Sequence, residues 1–131
     1  MQATNDKLRV IVADDKKAAN TIISGTLQLQ GFEVYSVTNA MECLNRLDME
    51  KGQIDAIYLE GKIASERSGM IIPRIKQINP KTKIVVIVDD QQRKEEVEKL
   101  EPDFVSVLPT NVTAIADIVK ALLIQKLHSS S

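Results

Sequence analysis

The chain has 131 residues, 44% of them hydrophobic and 27% charged, which is the size and make-up of one folded domain rather than a disordered segment. A formal net charge of −1 supplies no field to gather nucleic acid or an anionic membrane, and no apolar run approaches the roughly 18 residues that a membrane span requires. The aromatics Phe32, Tyr35, Tyr58 and Phe104, with no Trp, leave few platforms for stacking bases or sugars. The lone Cys43 excludes an internal disulfide, and positions 1–6 lack the apolar core of a secretory signal, so a reducing cytoplasm is the expected setting. One domain is expected over 1–131, with its core over about 7–127 and a mobile tail at 128–131.

In chain order, 8–13 (LRVIVA) is a short, nearly continuous apolar run ending at Asp14 and Asp15, the pattern of a strand buried on both faces of a parallel sheet. A helix follows, with Ala19, Ile22, Ile23, Thr26 and Leu27 on one face and Gly31 as its stop. Positions 32–37 (FEVYSV) alternate as a second, less buried strand. Asn39 caps a second helix whose apolar face is Ala40, Cys43, Leu44 and Leu47. Strand three is 54–60 (IDAIYLE), and the polar stretch 61–68 reads as a loop. A helix is predicted over 70–78, kinked or delayed by Pro73 and ended by Asn79 and Pro80. The most apolar strand, 83–88 (KIVVIV), is expected to be central. Positions 91–101 form a helix with only Val97 and Leu100 to bury, 104–108 a fifth strand, and 112–127 the last helix.

Five strands, each followed by a helix, imply a parallel sheet covered on both faces: a flavodoxin-like (βα)5 three-layer sandwich of strand order 2-1-3-4-5. In such a sheet chemistry gathers at the carboxyl ends of the strands. Asp14 and Asp15 close the first strand and Glu60 the third, so the three acids should meet there. Carboxylates so placed repel one another and invite a hard cation such as Mg²⁺. An Asp pair at a strand-to-helix junction also serves as a plain helix cap. Glu60, at matching depth, tilts the reading toward a site, working or vestigial.

Positions 8–17 (LRVIVADDKK), 55–70 (DAIYLEGKIASERSGM), 78–88 (INPKTKIVVIV) and 104–110 (FVSVLPT) carry a resemblance to the receiver domain of two-component response regulators, over nearly the whole chain. The resemblance implies that the positions of Asp14 and Asp15 hold Mg²⁺ and that the position of Glu60 belongs to an aspartate taking a phosphoryl group from a partner's phosphohistidine. It also implies a Ser or Thr at Val88, a Lys at Leu108, a switching aromatic at Val105, and a cis peptide before Pro109. This chain departs at most of these points. Glu60 is one methylene longer than the acceptor, Val88 has no hydroxyl, Leu108 has no charge, and Val105 is not aromatic.

The resulting expectation is a degenerate receiver: a phosphorylation-independent protein-interaction module in signalling or assembly, and not an enzyme. It requires no cofactor, and any Mg²⁺ at Asp14 and Asp15 should be weak. Its partner would be a kinase, an output domain or another receiver. Glu60 could mimic a phosphorylated aspartate, but pairing with Lys16 or Lys62, or solvation at the rim, is favoured because the residues that read such charge are absent. The last helix is too broadly apolar for one sheet face. The excess apolar face leaves room for a partner, and the resemblance implies an interaction surface, including a homodimer, over the helix at 91–101, the strand at 104–108 and the last helix, carried by Val97, Leu100, Val105, Val119, Leu123 and Leu127. The alternatives are an unorthodox receiver that still binds Mg²⁺ and accepts a phosphoryl group, and a small metal-dependent phosphohydrolase using Asp14, Asp15 and Glu60, which lacks an evident general acid. Cys43 reads as a core residue and His128 as incidental. Neither GxGxxG nor GxxxxGK[ST] occurs, which argues against nucleotide binding.

Overall fold

A computed structural model describes residues 7–108 and 111–129, without the side chains of Val112 and 125–129. The elements run β1 (Arg9–Ala13), α1 (Lys17–Leu29), β2 (Glu33–Val37), α2 (Ala40–Met49), β3 (Ala56–Glu60), α3 (Gly61–Gly69), α4 (Ile71–Ile78), β4 (Lys83–Val88), α5 (Gln91–Glu98), β5 (Phe104–Val107) and α6 (Val112–Ser129). All five strands pair in parallel in the order β2-β1-β3-β4-β5, the arrangement expected from the sequence.

The two-residue period of the strands divides the core. Val10, Val12, Ala56, Tyr58, Val85 and Ile87 face α1 and α6 on one side of the sheet. Ile11, Ala13, Ile57, Leu59, Ile84 and Val86 face α2, α3 and α4 on the other. This explains why the inner strands read as unbroken apolar runs. Turn chemistry sets the ends. Asn39 accepts the Glu42 amide at 2.8 Å as the cap of α2, Asp90 does the same for Arg93 at α5, and Gly31 takes the left-handed φ of +98° that follows α1.

Three expectations are corrected. The stretch 61–68 is not a loop: its first turn is helical because the Glu60 carboxylate caps it, and the helix breaks only at Glu66, Arg67 and Ser68, the last two in left-handed backbone. The β3–β4 connection therefore holds two helical segments instead of one. Pro73 does not kink α4, because the helix starts at Ile71 and the proline falls in its first turn, where no intrahelical N–H is required. The buried face of α1 is Asn20, Ile23, Ser24 and Leu27, while Ile22 is 54% exposed. The helix is rotated from the expected face because its two polar residues are satisfied inside.

Val97, Val119 and Leu123 are core residues, each at most 1% exposed, so they offer nothing to a partner. Leu100 and Val105 are half-buried against the same core. The side chain of Leu127, the isomer of the bond before Pro109, and the end of the 128–131 tail lie outside the described residues. Among the described residues no helix is long and apolar enough to cross a membrane.

Ile57, fully buried on the middle strand, touches the cluster beneath α2 and α4. Ile57→Ala should cost about 2–5 kcal/mol by chemical denaturation, a large part of a typical domain's 5–15 kcal/mol.

Candidate functional site at the carboxyl edge of the sheet

Asp14 follows β1 directly and is 3% exposed. Its Oδ1 accepts the Lys16 amide at 2.9 Å, and its own amide donates to the Val37 carbonyl at 3.1 Å. Burial is the main influence on its carboxyl and pushes the pKa above the ordinary value, with the Asp15 charge adding to the rise. The Lys16 amide and ammonium pull the other way. Asp15 is exposed beside it. Glu60 closes β3, in register with Ile87 of β4. One carboxylate oxygen from each of Asp14, Asp15 and Glu60 lies within 4.8 Å of the others, so the acidic trio expected from the sequence is assembled.

Glu60 is not held as the sequence suggested. Its Oε2 accepts the main-chain amide of Lys62 at 3.0 Å, and among the described residues no lysine ammonium forms an ion pair with it. Its Oε1 is buried with no hydrogen-bond partner. A buried, unpaired carboxylate oxygen is costly by itself, and a hard oxygen donor set of three carboxylates fits a divalent cation. Asp14, Asp15 and Glu60 would supply the protein ligands of such an ion.

Lys16, Tyr58 and Asp89 share the rest of the wall with aliphatic side chains. The Leu108 amide donates to the Val88 carbonyl at 2.8 Å, which sets these two residues side by side. With Asp14, Tyr58, Glu60 and Ile115 they line a cavity of about 190 Å³. Leu108 is 48% exposed at its rim, whereas Val88 is buried. Gly61 permits this packing: a Cβ there would sit 3.0 Å from Val88 Cα. Asp89, next along, pairs with Arg93 at 3.4 Å and is drawn into α5.

Two residues of the site were not singled out from the sequence. Asn20 donates to the carbonyls of Asp14 at 2.9 Å and Val37 at 2.8 Å, its Oδ1 accepts from Ser24, and the Ser24 and Ser36 hydroxyls share a hydrogen bond at 2.6 Å. The signal was a polar residue four before Ser24 and seven before Leu27, on one helix face. Tyr58 shares a strand face with Glu60; burial first, then the charges of Asp14 and Glu60, raise the pKa of its phenol. Cys43 is where the sequence placed it, fully buried, with its thiol pushed up to about 12.

No family model matches the chain. It is 33% identical over 78 residues to the DNA-binding transcriptional regulator NtrC of Azospirillum brasilense, a match covering 60% of this chain and 16% of that protein. The chain thus spans a small part of that relative's length. Among solved structures, it is similar to a CheY-like response regulator receiver domain from Methanospirillum hungatei JF-1, with TM-score 0.82 and 16% identity over 95% of this chain and 99% of that one. It is also similar to a response regulator from Burkholderia pseudomallei solved with a phosphorylated aspartic acid, calcium ion and citrate: TM-score 0.74, 19% identity, covering 96% and 74% of the two chains. The fold is that of response regulator receiver domains.

Two substitutions separate positioning from charge at this edge. Asn20→Ala takes the side-chain donor from the buried Asp14 carbonyl, leaves the Val37 carbonyl with the Asp14 amide alone, and should cost about 1–3 kcal/mol in denaturant melts. Asp14→Asn keeps an oxygen for the Lys16 amide but removes a buried charge. Because the folded-state pKa of Asp14 is raised, the wild type loses stability as pH rises through it. Asp14→Asn should therefore raise the melting temperature at neutral pH, with the gain shrinking in acid, where the wild-type carboxyl is also neutral.

Proposed function

We propose that this chain is a receiver-fold protein-interaction module that works without accepting a phosphoryl group, in the cytoplasm and without catalysis. The observation that carries this reading is the state of Glu60. One oxygen is committed to the start of α3, and the side chain is a methylene longer than the aspartate of the resembled family. Transfer to such a carboxylate would have to proceed against two neighbouring acids. At the two positions where the resembled family carries a hydroxyl and a cation for the phosphoryl anion, the wall offers the hydrocarbon of Val88 and Leu108, and the Lys16 and Tyr58 that share the cavity stand elsewhere on its lining. The partner is a protein: a kinase, an output domain or another receiver. The exposed Leu108 offers it an apolar contact at this edge, with the half-buried Val105 along β5 and Leu100 beyond the far end of α5 adding to the surface.

The acidic trio supports a second, narrower reading, in which the edge retains a cation and an unorthodox phosphoryl acceptor. A divalent ion bound there would offset the repulsion among Asp14, Asp15 and Glu60, which is structural as much as chemical.

Incubation with a small phosphodonor and Mg²⁺, followed by intact-mass measurement, distinguishes the two. The mass should stay unchanged. A phosphoryl adduct that disappears in Asp15→Ala would overturn the leading reading in favour of the second. Mg²⁺ titrated alone should move the amide resonances of Asp15, Lys16 and Lys62, weakly, and these shifts should vanish in Asp15→Ala.

A further inference from the structure

The outward face of α1 is unlike the rest of the surface. No ionisable side chain occurs between positions 18 and 31, in a chain that is 27% charged. Ala18, Ile22, Gly25 and Leu29 follow the spacing i, i+4, i+7, i+11, which confines them to an arc of about 60° on an α-helix. That arc lies opposite the buried face of Asn20, Ile23, Ser24 and Leu27. Ile22 is 54% and Leu29 91% exposed, and a Cβ built on Gly25 meets nothing within 4 Å. The Thr26 hydroxyl beside them is returned to the Ile22 carbonyl at 2.9 Å. A glycine in an exposed helix interior is less stable than alanine, and the domain gives it no packing reason to be there.

The stripe alternates in size: small Ala18, large Ile22, absent side chain at Gly25, large Leu29. The pairs 18 with 29 and 22 with 25 are symmetric about the midpoint between Ile23 and Ser24. A second copy of α1 laid antiparallel about that midpoint therefore sets Leu29 against Ala18 and Ile22 over Gly25, twice. A parallel copy would instead oppose Ile22 to Ile22 and leave Gly25 facing Gly25. An isologous interface sets residue i of one copy against residue j of the other and j against i, so a charge in it without an opposite partner would be buried twice, and this patch has none. The charges just outside also suit the antiparallel arrangement: Lys17 of one copy reaches the carboxyl-terminal end of the other helix, where the helix dipole is negative.

We infer that the occupant of this face is a second copy of the chain, bound through an antiparallel α1–α1 contact in which Ile22 packs over Gly25 and Leu29 against Ala18. This interface differs from the α5–β5–α6 surface expected from the sequence. A helix of 13 residues is about 20 Å long, and one helix pair buries less than the roughly 1,200 Å² of a standard interface, so the dimer is a weak one.

Sedimentation velocity of the whole chain, up to about 1 mM, reads the proposal directly. The wild type should pass from monomer to dimer with concentration. Leu29→Asp and Gly25→Leu should each raise the dissociation constant at least tenfold, which is about 1.4 kcal/mol. Because the space outside Gly25 is open, Gly25→Leu should keep its circular dichroism and an unchanged or higher melting temperature, so its loss of dimer is not a loss of fold. Combining Gly25→Leu with Ile22→Ala exchanges the large and small positions and should restore the dimer. Mixed Ala18→Cys and Leu29→Cys chains should form a disulfide between copies, with the fully buried Cys43 taking no part. A wild type that stays monomeric throughout overturns the inference, as does a dimer indifferent to both Leu29→Asp and Gly25→Leu. Sedimentation with neutral lipid vesicles, with no self-association in their absence, would do so in favour of a membrane occupant.

Discussion

The side-chain amide of Asn20 holds together the parts of this molecule that matter for function. Its two protons go to the carbonyls of Asp14 and Val37, the last groups of neighbouring strands before each turns into its loop. Those carbonyls are at the edge of the β1–β2 ladder, where backbone pairing runs out, and buried carbonyls without partners would be costly there. One side chain therefore ends two strands, fixes the loop that carries Asp14 and Asp15, and sets the rotation of α1. Ser24 carries the bond from the buried Asn20 outward to the exposed Ser36, a small polar network that crosses an otherwise aliphatic layer. Such a network specifies one arrangement, because any other rotation of the helix would leave several of its members unpaired.

At the carboxyl edge the electrostatics are lopsided. Asp14, Asp15 and Glu60 bring negative charge together; main-chain amides and the Lys16 ammonium answer it, while Val88 and Leu108 add only hydrocarbon. The Lys62 amide belongs to the first turn of α3 and the Lys16 amide to the turn leading into α1, so Glu60 caps a helix and Asp14 closes a loop that the fold needs anyway. This is how the cluster is tolerated: Asp14 and Glu60 have structural work independent of any ligand. The unpaired Glu60 Oε1 is what that work leaves over. The raised pKa of Asp14 has the same origin, a carboxyl put out of reach of water to serve the loop geometry.

Much of this was legible in the sequence, for identifiable reasons. Unbroken runs such as 83–88 can only be inner strands of a parallel sheet, and their alternation with helices leaves one economical strand order, so the convergence of Asp14, Asp15 and Glu60 followed from topology alone. Asn39 and Gly31 marked helix ends through local chemistry that tertiary contacts do not override. What escaped was whatever depended on a polar side chain finding a partner distant in sequence. The 61–68 stretch looked like a loop because its cap, Glu60, was read only as a site residue. Hydrophobicity alone places Ile22 inward ahead of Asn20 and Ser24, and nothing in the helix itself announces the two carbonyls that Asn20 reaches or the hydroxyl that Ser24 meets. Val97 reads both as the residue its helix must bury and as part of the expected interaction surface, and only the first holds; Val119 and Leu123 read as surface because the sequence does not state how much of a helix face its neighbours will cover.

The error about α1 is instructive, because its cause is also the cause of the exposed stripe. A helix has one circumference, and placing Asn20 and Ser24 inward commits Ala18, Ile22, Gly25 and Leu29 outward. Had Ile22 been buried, as its hydrophobicity favours, the two strand-end carbonyls would have lost their side-chain donor and the Asp14 loop its anchor. The domain thus accepts two large aliphatic side chains in water to keep one amide inside. That cost is diminished only where something covers the outward face, and the alternation of size along it is what a covering copy of the same helix requires. The acidic edge and the neutral stripe are in this sense not separate features: both follow from the way one asparagine orients α1.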